Sequence, residues 1–117
     1  TAGKFSHQGS FENLLGDQLN PQTIKQHSLE NTVNEYTPPT FLWHTQDDDS
    51  VPVQNTLLFA DELVKQNIPL ELHIYPKGVH GLALADTSTA NKDRPDHINP
   101  HVASWFDLAI KWLNTTL

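Results

Sequence analysis

The sequence predicts an α/β fold with parallel strands and a helical carboxyl end. Three observations predict it. The run TFLWHT, residues 40–45, has strand composition and is apolar on both faces at its start, which is how a buried parallel strand reads. Val53, Leu57, Ala60 and Val64 then recur at i, i+4, i+7 and i+11, the apolar face of a helix ending near Gln66. LELHIY, residues 70–75, alternates apolar and polar as a second strand. Strand, helix, strand in that span is a βαβ unit, for which a right-handed crossover is the expected geometry.

The remaining elements follow in chain order. Residues 1–39 are polar, lack a β-branched run and read as an irregular, partly helical segment. Within it, Ser10 is the expected cap of FENLLG, with Phe11, Leu14 and Leu15 on one face, and Asn20-Pro21 reads as the cap and first turn of a second short helix. Pro38-Pro39 punctuates the chain before the first strand. Asn67 and Pro69 stop the middle helix, because Asn tolerates a left-handed conformation and Pro cannot continue a helix. Residues 76–98 form a long loop, and Asn99-Pro100 opens a last helix over 99–115 with Val102, Trp105, Phe106, Ala109, Trp112 and Leu113 on one stripe. Trp43, Trp105 and Trp112 are expected in the core, and His44 and His73 in strand packing or at a strand edge.

Composition narrows the function. A length of 117 residues suits a single small domain. Seven Lys and Arg against 14 Asp and Glu give a net charge of −7, which argues against a nucleic-acid partner. Apolar runs fall far short of the roughly 20 residues that span a bilayer, so no membrane partner is expected. The absence of Cys excludes disulfides and thiolate zinc sites and fits a reducing compartment, so the expected location is cytoplasmic. Because the chain begins with Thr1 and not Met, a processed or truncated product is expected.

Chemistry is expected beyond the carboxyl ends of the strands, where loops are free to carry it. The loop after the first strand holds Asp47, Asp48 and Asp49; the loop after the second, PKGVHGLAL, holds His80. Taken singly, an acidic triplet reads as a solvated turn and a His beside Gly as a structural residue. Together on consecutive loops they offer what a hydrolase needs. The imidazole takes a proton from a nucleophile, and the carboxylate fixes its tautomer and stabilises the imidazolium.

The motif His44-Thr-Gln-Asp-Asp48-Asp-Ser-Val51-Pro52, followed by Gly78-Val-His80-Gly81, resembles the acid and base loops of the α/β-hydrolase superfamily. More closely, with FSHQGSFENLLG and INPHVASW, the whole chain resembles the bacterial acetyl-esterase and feruloyl-esterase-like branch, whose members are labelled carboxylesterase, lipase or xylanase-associated esterase. The resemblance implies that Asp48, three residues before Val51, is the acid of a Ser-Asp-His triad, that His80 is the base, and that Asp47 and Asp49 are loop-capping or solvated. It also implies a cap-like role for residues 1–39, with 4–16 over the site, and contact of the segment from Leu82 to Leu84, Leu82 above all, with substrate. The implied substrate is a short-chain acyl ester, acetyl first, of sugars or plant polysaccharides, with no cofactor.

Five glycines, at 3, 9, 16, 78 and 81, include no pair bracketing a Ser as Gly-x-Ser-x-Gly, the nucleophile elbow. Since the family order is Ser, Asp, His, the resemblance implies an elbow before Thr1. Such a fold runs to about 200–250 residues as one domain, so the chain is expected to be the carboxyl-terminal portion of one, inactive by itself. The amino-terminal half, or a second copy, is the expected partner of the apolar edge at Phe41 to Trp43. Two alternatives stand beside this reading: a peptidase fragment of the prolyl-oligopeptidase type, which shares both loops, and a noncatalytic binding or metal module. His97 and His101 lie four apart, but Pro100 starts a helix between them, so no metal site is assigned.

Overall fold

A computed structural model describes residues 1–116. Strand β1, Thr40–Thr45, and strand β2, Leu70–Tyr75, occupy the spans that the sequence predicts. They pair in parallel, from Thr40 opposite Leu70 to Thr45 opposite Tyr75. Among the described residues four α-helices accompany them: α1, Gln8–Leu15; α2, Pro21–Gln26; α3, Gln54–Lys65; and α4, Pro100–Thr116. Short 3-10 turns cover Gly16–Gln18, Leu29–Asn31 and Pro95–His97.

Alternation along β1 sends successive side chains to two helical layers. Trp43 stacks on Trp105 of α4 at 5.2 Å between centroids, and Phe41 meets Trp112 at 5.8 Å. On the opposite face His44 reaches Thr56 of α3. A parallel pair with helices on both faces is how this class of sheet keeps its apolar strands out of water. On the α4 face the core cluster is Tyr75, Leu82, Ala85 and Val102, with Trp43, Val79, Ala103 and Trp105 packed against it, while Val53, Ala60 and Leu63 are buried along α3.

The first half of the chain is tied down chiefly by polar contacts. α1 begins ahead of the expected cap: His7 caps it, its Nδ1 accepting from the Ser10 N–H at 3.3 Å, while the Ser10 hydroxyl meets the same nitrogen at 2.8 Å. Ser10 is therefore helical, not a cap. Phe11 and Leu15 are buried, whereas Leu14 is exposed. Asn20 does cap α2, with a reciprocal bond from its own N–H to the Thr23 hydroxyl. The amide of Asn55, in the first turn of α3, donates to the Phe5 carbonyl at 2.8 Å and so anchors the amino-terminal segment.

Helix α3 stops in a Schellman arrangement. Asn67 takes φ 56°, the Ile68 N–H reaches the Leu63 carbonyl at 2.9 Å, and the Asn67 N–H reaches that of Val64 at 3.0 Å. Its buried face differs from the expected stripe. Val53 and Ala60 are buried as expected, but Leu57 and Val64 are exposed and Leu63 is fully enclosed. The inward slot one turn after Val53 belongs to Thr56, a polar residue bonded to His44, so an apolar pattern misassigns the face by one position. On α4, likewise, Val102 is fully buried and both tryptophans are half-buried, while Phe106 and Leu113 are exposed.

The α3 assignment has a direct consequence for stability. Leu63→Ala is expected to cost about 2–5 kcal/mol, as for other enclosed leucines, and Val64→Ala less than about 0.5 kcal/mol. Urea denaturation of the two variants checks this. Equal losses would return Val64 to the buried face.

Candidate active site

Because β1 and β2 run in parallel, both of their carboxyl ends open on the same side of the sheet, and the acid and histidine loops begin as neighbours. The Gln46 N–H still bonds the Tyr75 carbonyl, at 2.7 Å, as the strands end. Beyond it, Thr45 and Asp47 both reach across to Gly78. The Thr45 hydroxyl donates to the Gly78 carbonyl at 2.6 Å, and the Gly78 N–H donates to Asp47 Oδ1 at 2.7 Å. Glycine is required by space here: a Cβ at 78 would stand 2.6 Å from Thr45 Cγ2 and 2.8 Å from Leu82 Cδ1.

This clamp brings Asp48 and His80 together. Asp48 Oδ2 lies 2.9 Å from His80 Nδ1. The other oxygen, Oδ1, accepts from the Ser50 N–H at 2.9 Å and the Val51 N–H at 2.8 Å, closing the turn on itself. The Asp48 side chain is 8% exposed and that of His80 is 52% exposed. One end of the pair is thus enclosed and the other open. With Nδ1–H donated to the carboxylate, Nε2 carries the lone pair and can take a proton from a hydroxyl.

Three consecutive aspartates are tolerated because each carboxylate has a different environment. Burial pushes the Asp48 carboxyl up, but the Val51 N–H, His80 and the Ser50 N–H outweigh it, and the group sits below its ordinary 3.8. Asp47 is lowered chiefly by the Gly78 N–H and further by Lys77, whose Nζ lies 3.3 Å away. Asp49 accepts only a 3.3 Å bond from the Ser50 hydroxyl. Asp47 is therefore more than a solvated or local capping residue, since it joins the two loops.

The loops enclose an open pocket of about 200 Å³, lined by Trp43, Thr45, Asp48, His80, Leu82 and Ala83 among others. Leu82, which the resemblance places against substrate, touches this pocket from the core side and is 2% exposed. Segment 4–16 contributes His7, Ser10, Phe11 and Leu14 to a separate cavity shared with Val51 and Asn55. His97 lies in the 3-10 turn before α4 and His101 in its first turn, against Tyr75 at 5.1 Å, so they do not share one helix face. Among the described residues no group of three His, Asp or Glu is placed to hold a metal, and no helix is long and apolar enough to cross a membrane.

Sequence reasoning misses three participants: His44, Thr45 and Asp47. Thr45 and Asp47 declare their roles only once strand register places Gly78 opposite them. His44 stands four residues before Asp48, and its Nε2 lies 3.6 Å from Asp48 Oδ2.

Residues 5–110 match the sequence profile of the prolyl oligopeptidase family. The chain belongs to that family. This member of the prolyl oligopeptidase family has part of an α/β-hydrolase fold, and its solved relatives are esterases and hydrolases of that superfamily. An acetyl ester-xyloside bifunctional hydrolase from Caldicellulosiruptor lactoaceticus is 46% identical, with a TM-score of 0.81 over 97% of this chain and 38% of that one. A carboxylesterase from Lactobacillus plantarum is 31% identical, with a TM-score of 0.71 over 74% of this chain and 31% of that one. The endo-1,4-β-xylanase B of Butyrivibrio fibrisolvens is 40% identical over 86 residues, which are 74% of this chain and 14% of the xylanase. The chain thus spans well under half of the relatives it matches.

The depressed pKa of Asp48 fixes the sign of one pH dependence. A carboxyl lowered on folding contributes stability that is fully present above its unfolded value and is lost as pH falls through the folded value. The melting-temperature gap between wild type and Asp48→Asn is therefore expected to be widest above about pH 4 and to close as the pH is lowered. A gap that stays constant down to pH 2 would mean that the Asp48 charge contributes nothing to folding.

Proposed function

We propose that these residues supply the acid and base of a serine carboxylesterase. The 2.9 Å contact between enclosed Asp48 and exposed His80 is the observation that carries this reading. His80 Nε2 takes the proton of a serine hydroxyl as that oxygen attacks the ester carbonyl. His80 then returns the proton to the departing alcohol, and the acyl-enzyme is hydrolysed by the same exchange with water. Asp48 holds the ring in the Nδ1–H tautomer and stabilises the imidazolium that forms. The serine and the oxyanion donors come from polypeptide preceding Thr1.

The substrate class is a short acyl ester, acetyl first, on a sugar or plant polysaccharide. Support comes from the acetyl ester-xyloside hydrolase and the xylanase among the relatives. The family match itself favours a second reading, a peptidase of the prolyl-oligopeptidase type. In the full-length enzyme, aryl acetates are expected to be hydrolysed far faster than prolyl aryl amides, and the reverse order would establish the peptidase. Asp48→Asn is expected to lower kcat by about 10⁴-fold and His80→Ala by about 10⁶-fold, as in other Ser-His-Asp triads. Wild-type turnover in either variant would overturn the acid–base assignment.

The polypeptide that supplies the serine also covers the sheet. β1 and β2 form a two-stranded sheet, leaving one unpaired edge on each strand among the described residues. Unpaired parallel strands are ready templates for another chain. Residues 1–117 produced alone are expected to self-associate in analytical ultracentrifugation, and to form a one-to-one complex instead when the amino-terminal half is co-expressed. A stable monomer of residues 1–117 by itself would rule out this need for a partner.

A further inference from the structure

The acid–base reading gives His44 no task, yet both of its ring nitrogens are engaged. Nδ1 lies 2.6 Å from the Thr56 hydroxyl of α3, and Nε2 lies 2.9 Å from the Val51 carbonyl in the acid loop. The side chain is 12% exposed. A carbonyl oxygen can only accept, so Nε2 carries a hydrogen and donates to Val51, while Nδ1 meets the Thr56 hydroxyl. Val51 is consequently held at both of its backbone polar groups: its N–H donates to Asp48 Oδ1 at 2.8 Å while its carbonyl receives the His44 bond. His44 thus connects β1, α3 and the turn that shapes the carboxylate. An apolar residue of similar size would fill the same space but leave the Val51 carbonyl without its His44 partner.

We infer that His44 is a positioning residue for the acid, an imidazole whose Nε2–H locks the Val51 backbone and through it the direction in which Asp48 faces His80. This rests on the acid–base reading of Asp48 and His80. The same ring nitrogen stands 3.6 Å from Asp48 Oδ2, beyond hydrogen-bond distance, so that oxygen is left to His80 at 2.9 Å. Side chains that support a catalytic group in this way act on turnover, because small misplacements of the reacting geometry are costly there.

The test uses the full-length enzyme and steady-state kinetics on an aryl acetate. His44→Leu is expected to lower kcat by about 10–100-fold with KM within about twofold. His44→Gln, whose amide N–H reaches the position of Nε2, is expected to recover kcat to within about threefold of wild type. His44→Asn, whose amide reaches only the position of Nδ1, is expected to behave like His44→Leu. In an Asp48→Asn background, His44→Leu is expected to cost less than about threefold, because what it positions is already gone. Unchanged kcat in His44→Leu, or an equal loss in both backgrounds, would overturn the inference. Should His44→Leu fail to fold, the Gln and Asn variants decide: equal activity in those two would overturn it. Asp48→Asn and His80→Ala, measured alongside, separate the two levels. If they keep wild-type turnover, the acid–base reading fails; if they lose it while every His44 variant keeps it, only the role of His44 fails.

Discussion

Parallel pairing of β1 with β2 is the constraint on which the candidate site depends. Antiparallel strands would put the loops after β1 and β2 at opposite ends of the sheet. In a parallel pair, both loops leave from the same end, with Thr45 beside Tyr75 and backbones roughly 4.8 Å apart. Short polar side chains can then bridge them without a long detour. Thr45 and Asp47 do so through Gly78, and only with that clamp in place does Asp48 meet His80 at 2.9 Å. The chemistry is local, but its geometry is inherited from register.

That inheritance explains an acidic triplet in a chain already carrying a net charge of −7. Neighbouring carboxylates are costly when they share one environment, and here they do not. Asp47 spends its charge on the Gly78 N–H and Lys77, Asp48 on two backbone N–H groups and an imidazole, and Asp49 remains at the surface. The Asp48 carboxylate is stabilised by donors that its own turn presents, and that of Asp47 by donors on the loop after β2. The turns and the charges are therefore one arrangement, the N–H groups and the carboxylates holding each other in place.

Both strands were legible to the residue in the sequence, because the apolar run of β1, the alternation along β2 and the Pro38-Pro39 and Pro69 boundaries are local signals. The meeting of Asp48 and His80, 32 residues apart, was legible from their places on consecutive strand-end loops together with spacing that resembles a family, since no local rule links them. Helix faces were read less well where polar residues turn inward. Thr56 occupies an inward slot of α3 to serve His44, and Asn55 beside it serves the Phe5 carbonyl. Apolar periodicity has no means of registering an inward-facing threonine. For the same reason His44 read as strand packing, although its ring joins the strand to the acid loop.

The two halves of the acid–base pair also rest on different layers. Asp48 sits in a loop secured through His44 to α3. His80 precedes a turn in which Ala83 and Ala85 take φ 51° and 56°, a left-handed conformation costing roughly 1–2 kcal/mol at each non-glycine residue. Bonds anchored at α4 hold that turn: the Trp105 indole N–H donates to the Ala83 carbonyl at 2.9 Å, and the Asn99 N–H to that of Ala85 at 2.8 Å. Ala85 and Leu82 meanwhile belong to the core with Val102, so the strained turn cannot relax without opening buried apolar contacts. The Asp48–His80 separation therefore reports how α3 and α4 both seat on the sheet. A disturbance in either helical layer is transmitted to one hydrogen bond, which is why much of this small fold is organised around its position.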